Sequence, residues 1–191
     1  MRTIDRPLLV LAGAGSGKTS VITRKISWLV NECGFKAQHI AAVTFTNKAA
    51  REMQQRAKAL LHDGSGRGLQ VSTFHQLGLR ILRKELALAN RKAGFSILDD
   101  QDCTAILRDI LLNDGDAATA LIDICRQQIS IWKNQGLTPA QVKPLATSPQ
   151  EHRMAEVYRR YDRALGSYNA VDFDDLITIP VNILSNNDCL L

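Results

Sequence analysis

The sequence predicts an α/β fold, a parallel sheet followed by an all-helical block. Three observations predict it. Short apolar runs alternate with segments of helical period up to about Ile81. A loop holding three glycines joins the first run to the first helix. Beyond Ile81 the period changes, and no convincing strand follows.

The first run, Leu8–Ala12, reads as a short buried strand. Thr19–Asn31 reads as a helix, with Ile22, Ile26, Leu29 and Val30 on one face and Gly34 placed to end it. Ile40–Thr46 is a second strand. The helix after it carries Ala49, Met53, Ala57 and Leu60 at helical spacing. His62–Gly68 is a glycine-rich connection, and Leu69–Phe74 is a third strand. The helical block follows, from about Lys84 to Tyr168. Asp99 with Asp102 caps a helix bearing Ile106, Leu107, Ile110 and Leu111. Leu121, Cys125, Ile129 and Trp132 form a second stripe, in which Trp132 reads as core. Thr138 and Ser148 each precede a proline at the first helical position, and Ser148 with Glu151 makes a capping box. The helix that Ser148 opens shows Met154, Val157, Tyr158, Tyr161 and Leu165. Asp172, Asp174 and Asp175 read as capping and surface charge, and Pro180 is expected to kink or end the helix that holds it.

An apolar fraction of 45% over 191 residues suffices for a buried core, and no apolar run is long enough to span a bilayer. The apolar start of the chain leads straight into the glycine loop, which argues against a secretory signal. Cys33, Cys103, Cys125 and Cys189 are far apart, and His39, His62, His75 and His152 equally so. That spacing excludes the usual zinc patterns and fits free thiols in a reducing cytoplasm. The net charge is +5 and the isoelectric point about 9.2. Residues 171–191 hold four Asp and no Lys or Arg, leaving a surplus of nine positive charges on the rest. This leans toward a polyanionic partner.

Ala12-Gly13-Ala14-Gly15-Ser16-Gly17-Lys18-Thr19 fits a phosphate-binding loop, with Ala12 in place of the first glycine of the strict pattern. Glycines allow a tight turn whose amides point at phosphate oxygens, and the following helix adds its positive end. The loop with Ser20 is the expected ATP site. Lys18 reaches the β- and γ-phosphates and the Thr19 hydroxyl ligates Mg²⁺, which makes these two the expected catalytic residues and Thr19 the metal ligand. Such a loop does not by itself identify a reaction.

Further segments narrow the choice. Ala41–Met53 (AAVTFTNKAAREM) and Val71–Leu82 (VSTFHQLGLRIL) follow the loop in order. FSILDD, ISIWKN and DFDDLI come after them. This series resembles the N-terminal half of superfamily 1A DNA helicases, the UvrD/Rep/PcrA group, over nearly the whole chain. The resemblance implies a partial RecA-like P-loop NTPase sheet, domain 1A, in residues 1–83. It implies an all-helical insertion, domain 1B, in residues 84–168, and a return to 1A in residues 169–191. It also implies ATP-dependent 3′→5′ translocation on single-stranded DNA, unwinding at single-strand/duplex junctions, and no membrane partner. Phe45, Thr46, Asn47 and Lys48 inherit one DNA-contacting role, and Thr73, Phe74 and His75 a second. From the residues alone, Phe45 is also open to a place in the strand core, Asn47 to a helix cap, and His75 to a core or cap position. Ser20 departs from the arginine usual after the GKT of relatives.

The acids of FSILDD are not taken as the second nucleotide motif, because Asp99 is a natural helix cap. In relatives that motif follows DFDDLI, so the Walker B acids, the arginine finger and the adenine-gripping glutamine are expected outside these residues. The chain is therefore expected to bind ATP and single strands weakly, without turnover. Two other readings stay open: a non-catalytic nucleic-acid-binding remnant, and a P-loop phosphotransferase, which leaves TFTNKAAREM and STFH unexplained.

Overall fold

A computed structural model describes residues 3–13, 15–62, 64–115 and 119–187. Ala14, Asp188 and Cys189 lie outside the described residues. The chain divides into two compact units, Met1–Leu77 and Gly78–Leu191.

The first unit is a small α/β layer. Strands β1 (Ala41–Thr44) and β2 (Gln70–Thr73) pair in parallel, with Ala41 opposite Gln70 and Thr44 opposite Thr73. Helix α2 (Asn47–Leu60) packs on the pair, and helix α1 (Lys18–Asn31) packs on α2. Ile26, Ala37, Ala42, Met53, Ala57 and Leu69 form the core. Helix α1 ends as expected, with Gly34 at a φ of 71°. Both strands are shorter than their apolar runs, because helix caps claim the ends. Thr46 caps α2, and helix α3 (Phe74–Lys84) starts directly after β2.

The first predicted strand does not form. Leu8–Ala12 carries no strand assignment, and Leu9 and Leu11 are 82% and 85% exposed. An apolar run becomes a buried strand only where a neighbour pairs with its backbone and another layer covers its face. No described residue supplies either.

The second unit is mainly helical: α4 (Asp100–Leu112), α5 (Thr119–Asn134), α6 (Pro139–Val142), α7 (Pro149–Ser167) and α8 (Asp175–Ser185). The predicted Asp99–Asp102 and Ser148–Glu151 capping boxes are present, and Thr138 forms another with Gln141. Leu107, Leu111, Ile122, Ile129, Tyr158 and Leu165 centre the core, and Trp132 stacks on Tyr158 with ring centroids 5.8 Å apart. The expectation of no strand after Ile81 is corrected. β3 (Ser96–Ile97) pairs in parallel with β4 (Ala170–Val171). Two-residue strands are too short to show alternation, which is why the sequence does not reveal them.

Pro180 neither ends nor breaks α8, which runs through it to Ser185. A proline removes the amide that would bond the carbonyl four residues earlier, here that of Leu176. Gly78 of α3 lies against that carbonyl: a Cβ at Gly78 would sit 1.8 Å from the Leu176 oxygen. The glycine lets the two helices meet backbone to backbone where α8 has lost a hydrogen bond.

Asp172 and Asp175 are buried, not surface charges as expected. They bond each other's amides at the start of α8: the Asp175 amide donates to Asp172 Oδ1 at 2.9 Å, and the Asp172 amide to Asp175 Oδ2 at 3.3 Å. Lys133 of α5, itself buried, donates to Asp172 Oδ2 at 2.6 Å and Asp175 Oδ1 at 2.7 Å. Tyr161 of α7 donates to Asp172 Oδ2 at 3.0 Å. One ammonium thus satisfies two carboxylates that burial would otherwise forbid. Burial alone would lower the Lys133 pKa, but the two carboxylates outweigh it and hold the group charged. No described helix is long and apolar enough to cross a membrane, and the described residues hold no cluster of metal-ligating side chains.

Candidate functional site

The glycine loop is shaped by its backbone. Gly15 and Gly17 adopt φ values of 74° and 83°, which side chains other than glycine disfavour. Gly17 occupies the position before α1, so the loop delivers the chain directly into the helix N-terminus. The Ser16 hydroxyl donates to the Gly13 carbonyl at 2.7 Å and closes the turn. Lys18 curls back over the loop, its ammonium donating to the carbonyls of Ala12 at 3.0 Å and Gly13 at 2.5 Å. The cation is therefore held at the loop by two backbone carbonyls. A Cβ built at Gly13, Gly15 or Gly17 would meet nothing within 4 Å, so no described atom crowds these glycines.

Thr19 is half-buried in the first turn of α1, and its hydroxyl bonds no described residue. Its carbonyl, like that of Ser20, accepts from Thr23 Oγ1. A free hydroxyl oxygen beside a phosphate loop suits a hard cation such as Mg²⁺, which takes oxygen ligands and keeps several waters. Ser20 is exposed. Ala14, part of the expected loop, lies outside the described residues.

The second set of expected residues follows the two paired strands. Because β1 and β2 are parallel with Thr44 opposite Thr73, the next residues, Phe45 and Phe74, emerge side by side. Their ring centroids lie 5.6 Å apart with planes inclined at 49°. Phe45 is 88% exposed and Phe74 43%. Strand-core packing is thereby excluded for Phe45. An exposed aromatic pair forfeits the usual gain of burying such rings, which makes it a candidate contact surface.

The flanking residues divide between roles. Thr46 accepts from the Ala49 amide at 3.1 Å and caps α2, so the cap is Thr46 and not Asn47. Asn47 and Lys48 are exposed in the first turn. Thr73 is buried; its hydroxyl accepts from the Gln76 amide, and the Gln76 side chain accepts from the Thr73 amide, both at 3.3 Å. Thr73 thus sets the start of α3, and His75 is exposed one residue beyond Phe74. Two helix N-termini, those of α2 and α3, sit beside the aromatic pair. Their positive ends favour an anion there.

The glycine loop and the aromatic pair belong to one unit of a chain that matches, over residues 1–191, the family described as UvrD/REP helicase N-terminal domain. The chain belongs to that family. It is 47% identical over 97% of its length to the ATP-dependent DNA helicase Rep of Salmonella typhimurium, and equally to Rep of Escherichia coli. It is 38% identical over 96% of its length to the ATP-dependent DNA helicase PcrA of Staphylococcus aureus. The chain spans only about a quarter of these relatives: 27% and 28% of the two Rep proteins and 25% of PcrA.

The buried Lys133–Asp172–Asp175 group was not anticipated, although two signals existed. Lys133 falls on the apolar stripe of α5 with Cys125 and Ile129, and residues 171–191 carry acids with no cation of their own.

Proposed function

We propose that this chain is the ATP- and single-strand-binding part of a 3′→5′ DNA helicase. Residues 1–83 are the first part of a RecA-like domain, residues 84–168 a helical insertion, and residues 169–191 the return to that domain. The observation that carries the reading is the solvent-facing Phe45–Phe74 pair between two helix N-termini, in a unit that also holds the glycine loop. Phe45 and Phe74 stack on bases, Lys48 neutralises a phosphate, and Thr46, Asn47 and His75 contact the strand. Thr73 acts by holding the turn that presents Phe74. The nucleotide phosphates lie in the Ala12–Ser20 loop. Lys18 exchanges its carbonyl partners for phosphate oxygens, and Thr19 ligates Mg²⁺. A bound Mg²⁺ neutralises charge on the phosphates.

Fluorescence anisotropy of labelled oligothymidylate tests the reading. Phe45→Ala is expected to weaken binding by about 1–3 kcal/mol while the circular dichroism spectrum stays unchanged. Unchanged affinity in the folded variant would remove the stacking role.

A further inference from the structure

The net positive charge lies in the first unit. Residues 1–77 hold eleven Lys and Arg against four Asp and Glu, whereas residues 78–191 hold thirteen against fifteen. Part of that surplus is arrayed along α2. Lys48, Arg51, Gln55 and Lys58 recur at spacings of three, four and three residues and are all exposed, away from the buried Ala50, Met53 and Ala57. Glu52, the helix's one acid, is exposed four residues from Lys48 and three from Gln55 and borders the row on one side. From Lys48 to Lys58 the row runs about 15 Å at 1.5 Å per residue.

The row ends at an open depression of about 430 Å³, lined by Gln54, Lys58, His62 and Arg67 together with glycines of the following connection. Gly68 there has a φ of 87°, and a Cβ on it would meet Gln38 at 2.8 Å, so the connection is drawn tightly against its neighbour. Lys58 and Arg67 form no ion pair with any described residue; Asp63 lies outside them. Lys58 sits in the last turn of α2 and complements the helix dipole. Arg67 is off the helix, and that explanation does not reach it.

We propose that this row and depression form a second phosphate-binding track, which carries a nucleic-acid backbone from the aromatic pair along α2 to Lys58, His62 and Arg67. The identity of the polyanion rests on the single-strand reading above. The charge complementarity does not, and the track starts where that site ends, at Lys48.

The test is anisotropy against salt on the 191-residue chain, with a long oligothymidylate and one of about five nucleotides, near the lower site sizes of single-strand binders. For the long strand, Lys58→Ala with Arg67→Ala should flatten the log-affinity against log-salt slope by about 0.7 per lost contact, about 1.4 in all. The short strand should keep its slope, and Lys58→Arg should keep the wild-type slope with both. Phe45→Ala should weaken both strands and leave the slope alone. An unchanged slope for the long strand, or an equal loss for the short one, overturns the track. A Phe45→Ala variant without effect, beside a double variant that flattens the slope, would leave the track standing and remove the aromatic site. Polyglutamate binding that depends on Lys58 and Arg67, with DNA binding that does not, would assign the depression to an acidic protein partner and overturn the proposal.

Discussion

Replacing Lys133 with Met tests the buried charge group. Lys133 Nζ lies 2.6 Å and 2.7 Å from carboxylates of Asp172 and Asp175, and all three side chains are less than a tenth exposed. Methionine keeps most of the volume and removes the charge, leaving two acids buried without a counter-ion. Removing one partner of a buried pair costs about 3–5 kcal/mol. In a unit of this size that lowers the unfolding midpoint by roughly 10–20 °C. The pH dependence carries a sign. Burial pushes the Asp175 carboxyl up, the Asp172 charge adds to it, and Lys133 opposes both. Above the unfolded value of about 3.9, the folded state keeps a proton that the unfolded chain has lost, so stability falls as pH rises through that window. Without Lys133 the window extends upward. Thermal melts followed by far-ultraviolet circular dichroism should therefore show a gap between wild type and variant that widens from about pH 4 to pH 8. Adding Asp172→Asn and Asp175→Asn should recover part of the loss, because the uncompensated charges are then gone. A loss below about 1 kcal/mol, or a gap that does not change with pH, would refute the argument.

Two further predictions follow. Gly78→Ala places a methyl group 1.8 Å from the Leu176 carbonyl, so α3 and α8 must separate; urea unfolding should show a loss of at least about 1–3 kcal/mol, as overpacking does, and a neutral result would contradict the close approach. Mg-ATP binding measured by calorimetry should disappear in Lys18→Ala. Phosphate release, with and without single-stranded DNA, should stay at background in both proteins, since the proposed site holds no arginine finger, which alone is worth about 10³–10⁵ in rate. Lys18-dependent, DNA-stimulated turnover would show that acids within these residues, Asp99 or Asp100 first, complete the site.

Where the sequence was informative, local chemistry decided the structure. The capping boxes at Asp99 and Ser148, the apolar stripes of α4 and α7 and the turn at Gly34 depend on residues a few positions apart, and each forms as read. The sequence failed where distant partners decide. Leu8–Ala12 is apolar enough for a strand but finds no described neighbour, whereas Ser96–Ile97 and Ala170–Val171 pair across more than seventy residues with no alternation to announce it. Pro180 stays within a helix whose freed carbonyl, that of Leu176, faces Gly78, about a hundred residues earlier. The aspartates of DFDDLI are buried because Lys133 reaches them from another helix. In the candidate site, the motif names the loop and the aromatic residues. The parallel register of β1 and β2 sets Phe45 beside Phe74, and it is visible only in the fold.

The central claim is that a single strand lies on the Phe45–Phe74 pair. Ultraviolet cross-linking of a bromodeoxyuridine-substituted oligonucleotide to the 191-residue chain, with the adducts located by peptide mass spectrometry, tests it most directly. Adducts should concentrate on Phe45, Phe74 and His75, and should be lost when unlabelled single strand is added. Adducts confined to residues 78–191, or spread evenly over exposed aromatic residues such as Phe35, Tyr168 and Phe173, would contradict it.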